Sequence, residues 1–74
     1  MGTDVEQLIA EALGIPRKRV TPQLEFGTVA EWDSLGHVTL MLALEERTGT
    51  EIDAERMVEL TTVGAISQYV EAAA

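Results

Sequence analysis

No cysteine occurs anywhere in the sequence. Disulfide staples and thiol chemistry are thereby excluded, and the redox compartment is left open. Histidine is almost absent as well: His37 stands alone, and without thiols beside it no tetrahedral metal site is expected. Aromatic residues are reduced to Phe26, Trp32 and Tyr69, and proline to Pro16 and Pro22. Cations are scarce, five Lys and Arg against thirteen Asp and Glu, for a formal net charge of −8. That charge repels nucleic acid and anionic lipid, and it steers basic partners toward the chain. No apolar run approaches the roughly 18–20 residues needed to span a bilayer. Met1-Gly2-Thr3-Asp4 carries no basic region followed by an apolar core, so no secretory signal is read there. A cytoplasmic protein is expected, with neither nucleic acid nor membrane among its partners.

With 74 residues the chain is expected to form one domain over 1–74, with a modest stability margin. Its hydrophobic fraction of 46% argues against disorder despite the charge. No repeat, low-complexity tract or interior linker interrupts it. Val5, Leu8, Ile9, Ala12 and Leu13 recur at helical spacing and predict a helix over about residues 4–13. Thr3 with Glu6 forms a capping-box pattern, and Gly14 supplies the stop. Residues 14–33 form a long connection that holds both prolines and the basic run Arg17-Lys18-Arg19, read as a solvated feature. Ile15, Val20, Leu24 and Phe26 are its expected anchors in the core.

A second helix is predicted from Ser34 to about Thr48, capped by Asp33 and stopped by Gly49. Asp53 is placed to cap a brief helical turn through Met57 and Val58. Thr62 begins a last helix whose stripe is Val63, Ile66, Tyr69, Val70 and Ala73. Nothing alternates at period two, so strands are not expected. The fold class is all-α: a small bundle of three main helices plus one short one.

The second helix carries two apolar stripes. At about 100° per residue, Leu40, Met41 and Leu44 gather on one side and Leu35, Val38 and Leu42 roughly opposite. A surface helix in a small bundle needs one stripe, so the other suits a docking surface, although spacing does not say which. Glu45 and Glu46, with Glu51, Asp53, Glu55 and Glu59 close behind, rim it with carboxylates. Such a rim fits a partner whose patch is apolar at its centre and basic around it.

Ser34 heads this helix. A serine there is ordinarily a capping or first-turn residue. A helix N-terminus also favours an anion, so a phosphodiester on its hydroxyl would be well placed beside the stripe that begins at Leu35. His37, three residues on, makes a nucleophile–base pair conceivable, but no orienting carboxylate and no oxyanion hole accompany it.

The stretch Trp32-Asp33-Ser34-Leu35-Gly36-His37-Val38 resembles the Asp-Ser-Leu attachment motif of acyl carrier proteins. Leu40-Met41-Leu42-Ala43-Leu44-Glu45-Glu46 with Thr50-Glu51-Ile52 is similar to that family's recognition helix, and Thr61-Thr62-Val63 with Ile66 and Tyr69-Val70 to its last helix. The resemblance covers nearly the whole chain and implies a 4'-phosphopantetheine arm on Ser34, installed by a phosphopantetheinyl transferase. The arm's thiol would carry acyl cargo as a thioester between acyl-loading and acyl-accepting enzymes with basic docking patches. The carrier itself would be a non-catalytic monomer. By similarity Asp33, Leu35, Val38, Leu42, Glu45, Glu46 and Glu51 match partner-facing positions, and Leu40 and Leu44 match the core.

Trp32 stands where fatty-acid-type carriers commonly have glycine or alanine, Thr39 where they often have an acid, and Thr48 where a large apolar residue is usual. These departures lean toward a specialised pathway, polyketide or related. An aminoacyl or peptidyl carrier of a nonribosomal peptide-type pathway is the alternative cargo reading, and an unmodified acidic interaction module the alternative class. The initiating Met1 and the absence of linkers point to a free-standing protein.

Overall fold

Four α-helices and one 3-10 turn follow in chain order in the computed structural model, which describes residues 4–73. Helix α1 spans Val5–Leu13. Its cap is Asp4, whose carboxylate accepts from the Gln7 N–H at 3.2 Å. The expected cap Thr3 lies outside the described residues. The helix starts one residue later than the capping box requires, and Glu6 pairs with Arg17 at 3.3 Å. Gly14 closes the helix in the left-handed conformation at φ 70°, a backbone shape glycine adopts without strain. Leu8, Ile9, Ala10 and Leu13 are its buried face.

The long connection is anchored as its apolar spacing predicts at Ile15, Val20 and Leu24, all buried. The basic run winds into the 3-10 turn Arg17–Arg19. Arg17 reaches Asp4 at 2.8 Å and Arg19 reaches Glu31 at 3.6 Å, exposed pairs that contribute about 1 kcal/mol at most. Phe26 departs from expectation, since it is 41% exposed. Its N–H donates to the Thr61 carbonyl at 2.8 Å, and the Val63 N–H donates to Leu24 at 3.1 Å. These bonds hold the loop along the chain ahead of the last helix, in a single antiparallel bridge between Glu25 and Thr62. The interior place expected for Phe26 belongs to Trp32, which has no exposed surface.

Helix α2, Ser34–Thr48, follows Trp32 after one residue. Asp33 caps it by accepting from the Gly36 N–H at 2.9 Å, and Gly49 ends it at φ 71°. Helix α3, Ala54–Glu59, is capped by Asp53 and buries none of its residues. Helix α4, Val63–Ala73, starts under the Thr62 hydroxyl, which accepts from the Ala65 N–H at 3.0 Å. Leu40, Met41, Leu44 and Ile66 are wholly buried between α1, α2 and α4, and Val63 and Val70 complete the α4 face. The all-α bundle of three main helices and one short one is therefore the fold.

The turn into α2 is drawn tight against the helix it precedes. A Cβ on Gly36 would collide with the Glu31 carbonyl oxygen and would lie 3.3 Å from Leu13 Cδ2. Alanine in a helix is ordinarily better than glycine by about 1 kcal/mol. Here the collision with backbone reverses the sign, and Gly36→Ala is expected to cost about 1–3 kcal/mol. Thermal unfolding checks this: the midpoint should fall by about 4 °C or more. A raised midpoint would contradict the close approach.

Candidate functional site

Asp33 and Ser34 sit where the loop ends and α2 begins. Asp33 has an extended backbone, and its carbonyl accepts the first helical hydrogen bond from His37 at 2.8 Å. Its carboxylate occupies the Gly36 N–H, and the N–H groups of Ser34 and Leu35 are left without a partner among the described residues. Ser34 is exposed at the first helical position, and among the described residues its hydroxyl is engaged in no hydrogen bond.

The two stripes of α2 separate cleanly. Leu40, Met41 and Leu44 have no exposed surface, whereas Leu35 is 76% exposed, Leu42 57% and Val38 47%. Only one side of the helix finds partners in the bundle, so the second stripe is left to water and runs from the serine toward Glu46. Val58 on α3 is also exposed and adds to the apolar surface. Glu46, Glu51 and Asp33 are exposed around it.

Glu45 differs from the other acids assigned to this surface by similarity. It is half-buried, and its carboxylate accepts from the Ile52 N–H at 2.7 Å. That bond ties the loop after α2 to the helix and helps deliver Ile52 to the core. Glu45 therefore has a structural task beyond any contact with a partner.

His37 is not a free surface base. The Trp32 indole N–H donates to His37 Nδ1 at 3.0 Å, and His37 Nε2 lies 2.8 Å from the Met57 carbonyl. An indole nitrogen only donates and a carbonyl only accepts, so the bridge requires a neutral ring protonated on Nε2. Neither nitrogen remains for Ser34, and the pairing needed for nucleophilic catalysis is missing. The bridge links the core to α3, alongside half-buried Met57, an Arg56–Tyr69 cation–π contact at 5.8 Å and the buried Ile52 and Leu60 that flank the helix. Losing His37 would orphan the buried indole N–H, at a cost of about 1–3 kcal/mol.

The family departures acquire local reasons. Trp32 fills the core and meets His37 at a ring-centroid distance of 6.2 Å. The hydroxyls of Thr39 and Thr48 bond back to the carbonyls of Leu35 and Leu44, at 3.1 and 2.8 Å, so neither polar group is left unsatisfied. Sequence reasoning missed an apolar groove between α2 and α3, lined by Phe26, His37, Met57, Val58 and Thr61. A tryptophan five residues before the single histidine was its only signal.

No described helix is long and apolar enough to cross a membrane. Residues 3–70 match the family model described as the phosphopantetheine attachment site. Acyl carrier proteins of Helicobacter pylori strains G27 and HPAG1 are each 40% identical over 68 residues, which cover 92% of this chain and 87% of theirs. That of strain J99 is 38% identical over the same shares. Such proteins are carriers rather than catalysts: they hold acyl groups on a covalently attached 4'-phosphopantetheine and are served by a phosphopantetheinyl transferase and acyl-handling enzymes. By its helices, by the serine at the tip of α2 and by these matches, the chain belongs to the acyl carrier protein family.

Proposed function

We propose that Ser34 receives the phosphopantetheine arm and that the outer face of α2 is where the enzymes of the pathway dock. One observation carries the reading: an exposed serine at the first position of a helix whose exposed apolar stripe begins at the next residue. On transfer from coenzyme A, the Ser34 oxygen bonds to the phosphorus on the pantetheine side. The pyrophosphate bond breaks, the adenosine bisphosphate leaves, and the serine proton passes to the transferase. When bound, the arm supplies a terminal thiol that holds the acyl group as a thioester.

The residues around Ser34 suit that attachment. The free Ser34 and Leu35 N–H groups and the helix dipole favour a phosphodiester there. Asp33 already places one anion at the same end, which opposes a tight clamp on a second and favours an arm that swings. Tethering then raises the concentration of cargo at each docked enzyme without any catalysis by the carrier.

Charge supports the docking role of Leu35, Val38, Leu42, Asp33, Glu45, Glu46 and Glu51. Arg17 pairs with Asp4 and Glu6 at the start of α1, and Arg19 with Glu31 in the loop ahead of α2. Around α2 and its following loop, Asp33, Glu46 and Glu51 form no ion pair among the described residues. A basic patch on a partner enzyme would be drawn there, with salt weakening the attraction. The same negative field repels a second copy, in keeping with a monomer that forms one unit over 1–74. We place the protein in the cytoplasm with the transferase and coenzyme A. A specialised pathway, polyketide or related, is favoured over housekeeping fatty-acid synthesis by Trp32 and the bridge it forms with His37.

Incubation with coenzyme A and a promiscuous phosphopantetheinyl transferase, read by intact mass, tests the assignment. One added arm is expected on the wild type and none on Ser34→Ala. A folded wild type that stays unmodified would leave an interaction module and overturn the carrier reading of Ser34.

A further inference from the structure

The groove between α2 and α3 lies on the side of α2 that Ser34 occupies, because His37, which lines it, is three residues further along the helix. Its volume is about 190 Å³, and its walls are almost wholly apolar. Phe26 meets the His37 ring edge-on at 5.4 Å on the groove side, and Trp32 lies against the same ring at 6.2 Å toward the core. The imidazole thus stands between groove and interior. Both its nitrogens are engaged, one by the Trp32 indole and one by the Met57 carbonyl.

We propose that the Trp32–His37–Met57 bridge is the floor of this groove and limits the cargo sheltered by the carrier to a short apolar acyl group. The inference rests on attachment of the arm to Ser34. Trp32, Leu40, Met41, Leu44 and Ile66 fill the space beyond the bridge with no exposed surface, so a longer chain would have to displace them. It would also have to break both hydrogen bonds of the bridge and leave a buried indole N–H without an acceptor. A cavity of about 150 Å³ accommodates benzene, so this groove suits roughly six to eight heavy atoms. Thr61 is the one hydroxyl on its wall and His37 has no nitrogen to offer, so a charged aminoacyl group would find no partner there. His37 is accordingly a specificity-determining residue: it sets the depth of the groove rather than touching the reacting atoms.

The test loads the wild type with straight acyl chains of about 4, 8 and 12 carbons, lengths chosen to bracket the groove. Acyl-coenzyme A and a promiscuous transferase supply them, and intact mass verifies one acylated arm. Hydroxylamine cleavage of the thioester and two-dimensional NMR then report shelter. Cleavage should slow about threefold or more from the shortest chain to the middle one and change less than twofold beyond it. Resonances of Phe26, Met57 and Val58 should move, while the Trp32 indole N–H and Ile66 stay in place. In His37→Ala the longest chain should gain further protection and shift Ile66. Continued slowing with length in the wild type, with movement of Trp32 and Ile66, overturns the proposal, as does equal cleavage at every length. A folded His37→Ala that protects the longest chain no better than the wild type overturns it too. If that variant does not fold, the wild-type series decides alone. A wild type that accepts no arm refutes the Ser34 assignment instead, a failure the mass spectrum reads separately.

Discussion

Helix α2 has two apolar faces and the bundle has room for one. Leu40, Met41 and Leu44 take the interior, where α1 and α4 surround them, and among the described residues nothing covers Leu35, Val38 and Leu42. Burying a leucine side chain stabilises a fold by about 1.5–3 kcal/mol, so an exposed row of three forgoes a substantial sum in a chain of this length. The sacrifice makes sense where a second surface is wanted. It places an adhesive strip on the outside of the most central helix, with a solvent-facing serine at its head and carboxylates along its rim. Fold and docking surface are thus two sides of one fifteen-residue helix.

What presents the serine is the approach to that helix. Trp32 is driven into the core one residue before the cap, which fixes where the loop ends and the helix begins. The chain then turns so closely that position 36 admits only glycine beside the Glu31 carbonyl. Asp33 absorbs the Gly36 N–H, and Ser34 is held outward. His37 completes the arrangement by accepting from the indole and reaching across to α3. A buried tryptophan, a glycine, a cap and a histidine lie close together in the chain and act together, so substitution at one will be felt at the others.

Much of this was legible because it is local. Gly14, Gly49, Asp33, Asp53 and Thr62 mark helix ends through backbone and side-chain chemistry that needs no tertiary partner, and each does so in the structure. The two stripes of α2 were legible for the same reason. Their direction was open to spacing alone, because that depends on where α1 and α4 lie, and it was the family resemblance that put Leu40 and Leu44 inside. Phe26 was expected inside and is exposed, while Trp32, for which spacing gave no placement, is buried: both are large apolar residues in one long loop, and the hydrogen bond from Phe26 to Thr61 and the depth of Trp32 distinguish them. Glu45 looked like its neighbour Glu46, yet a loop seven residues away claims its carboxylate. Thr3 and Asp4 are both good caps, and the helix uses the second.

The division of labour on α2 can be measured on two leucines half a turn apart. Leu44→Ala should lower folding stability by about 2–5 kcal/mol. Leu42→Ala should leave stability within about 0.5 kcal/mol of the wild type while slowing arm transfer to Ser34 several-fold. Equal destabilisation by the two substitutions, or full transfer activity in a folded Leu42→Ala, would contradict the separation of a core face from a docking face.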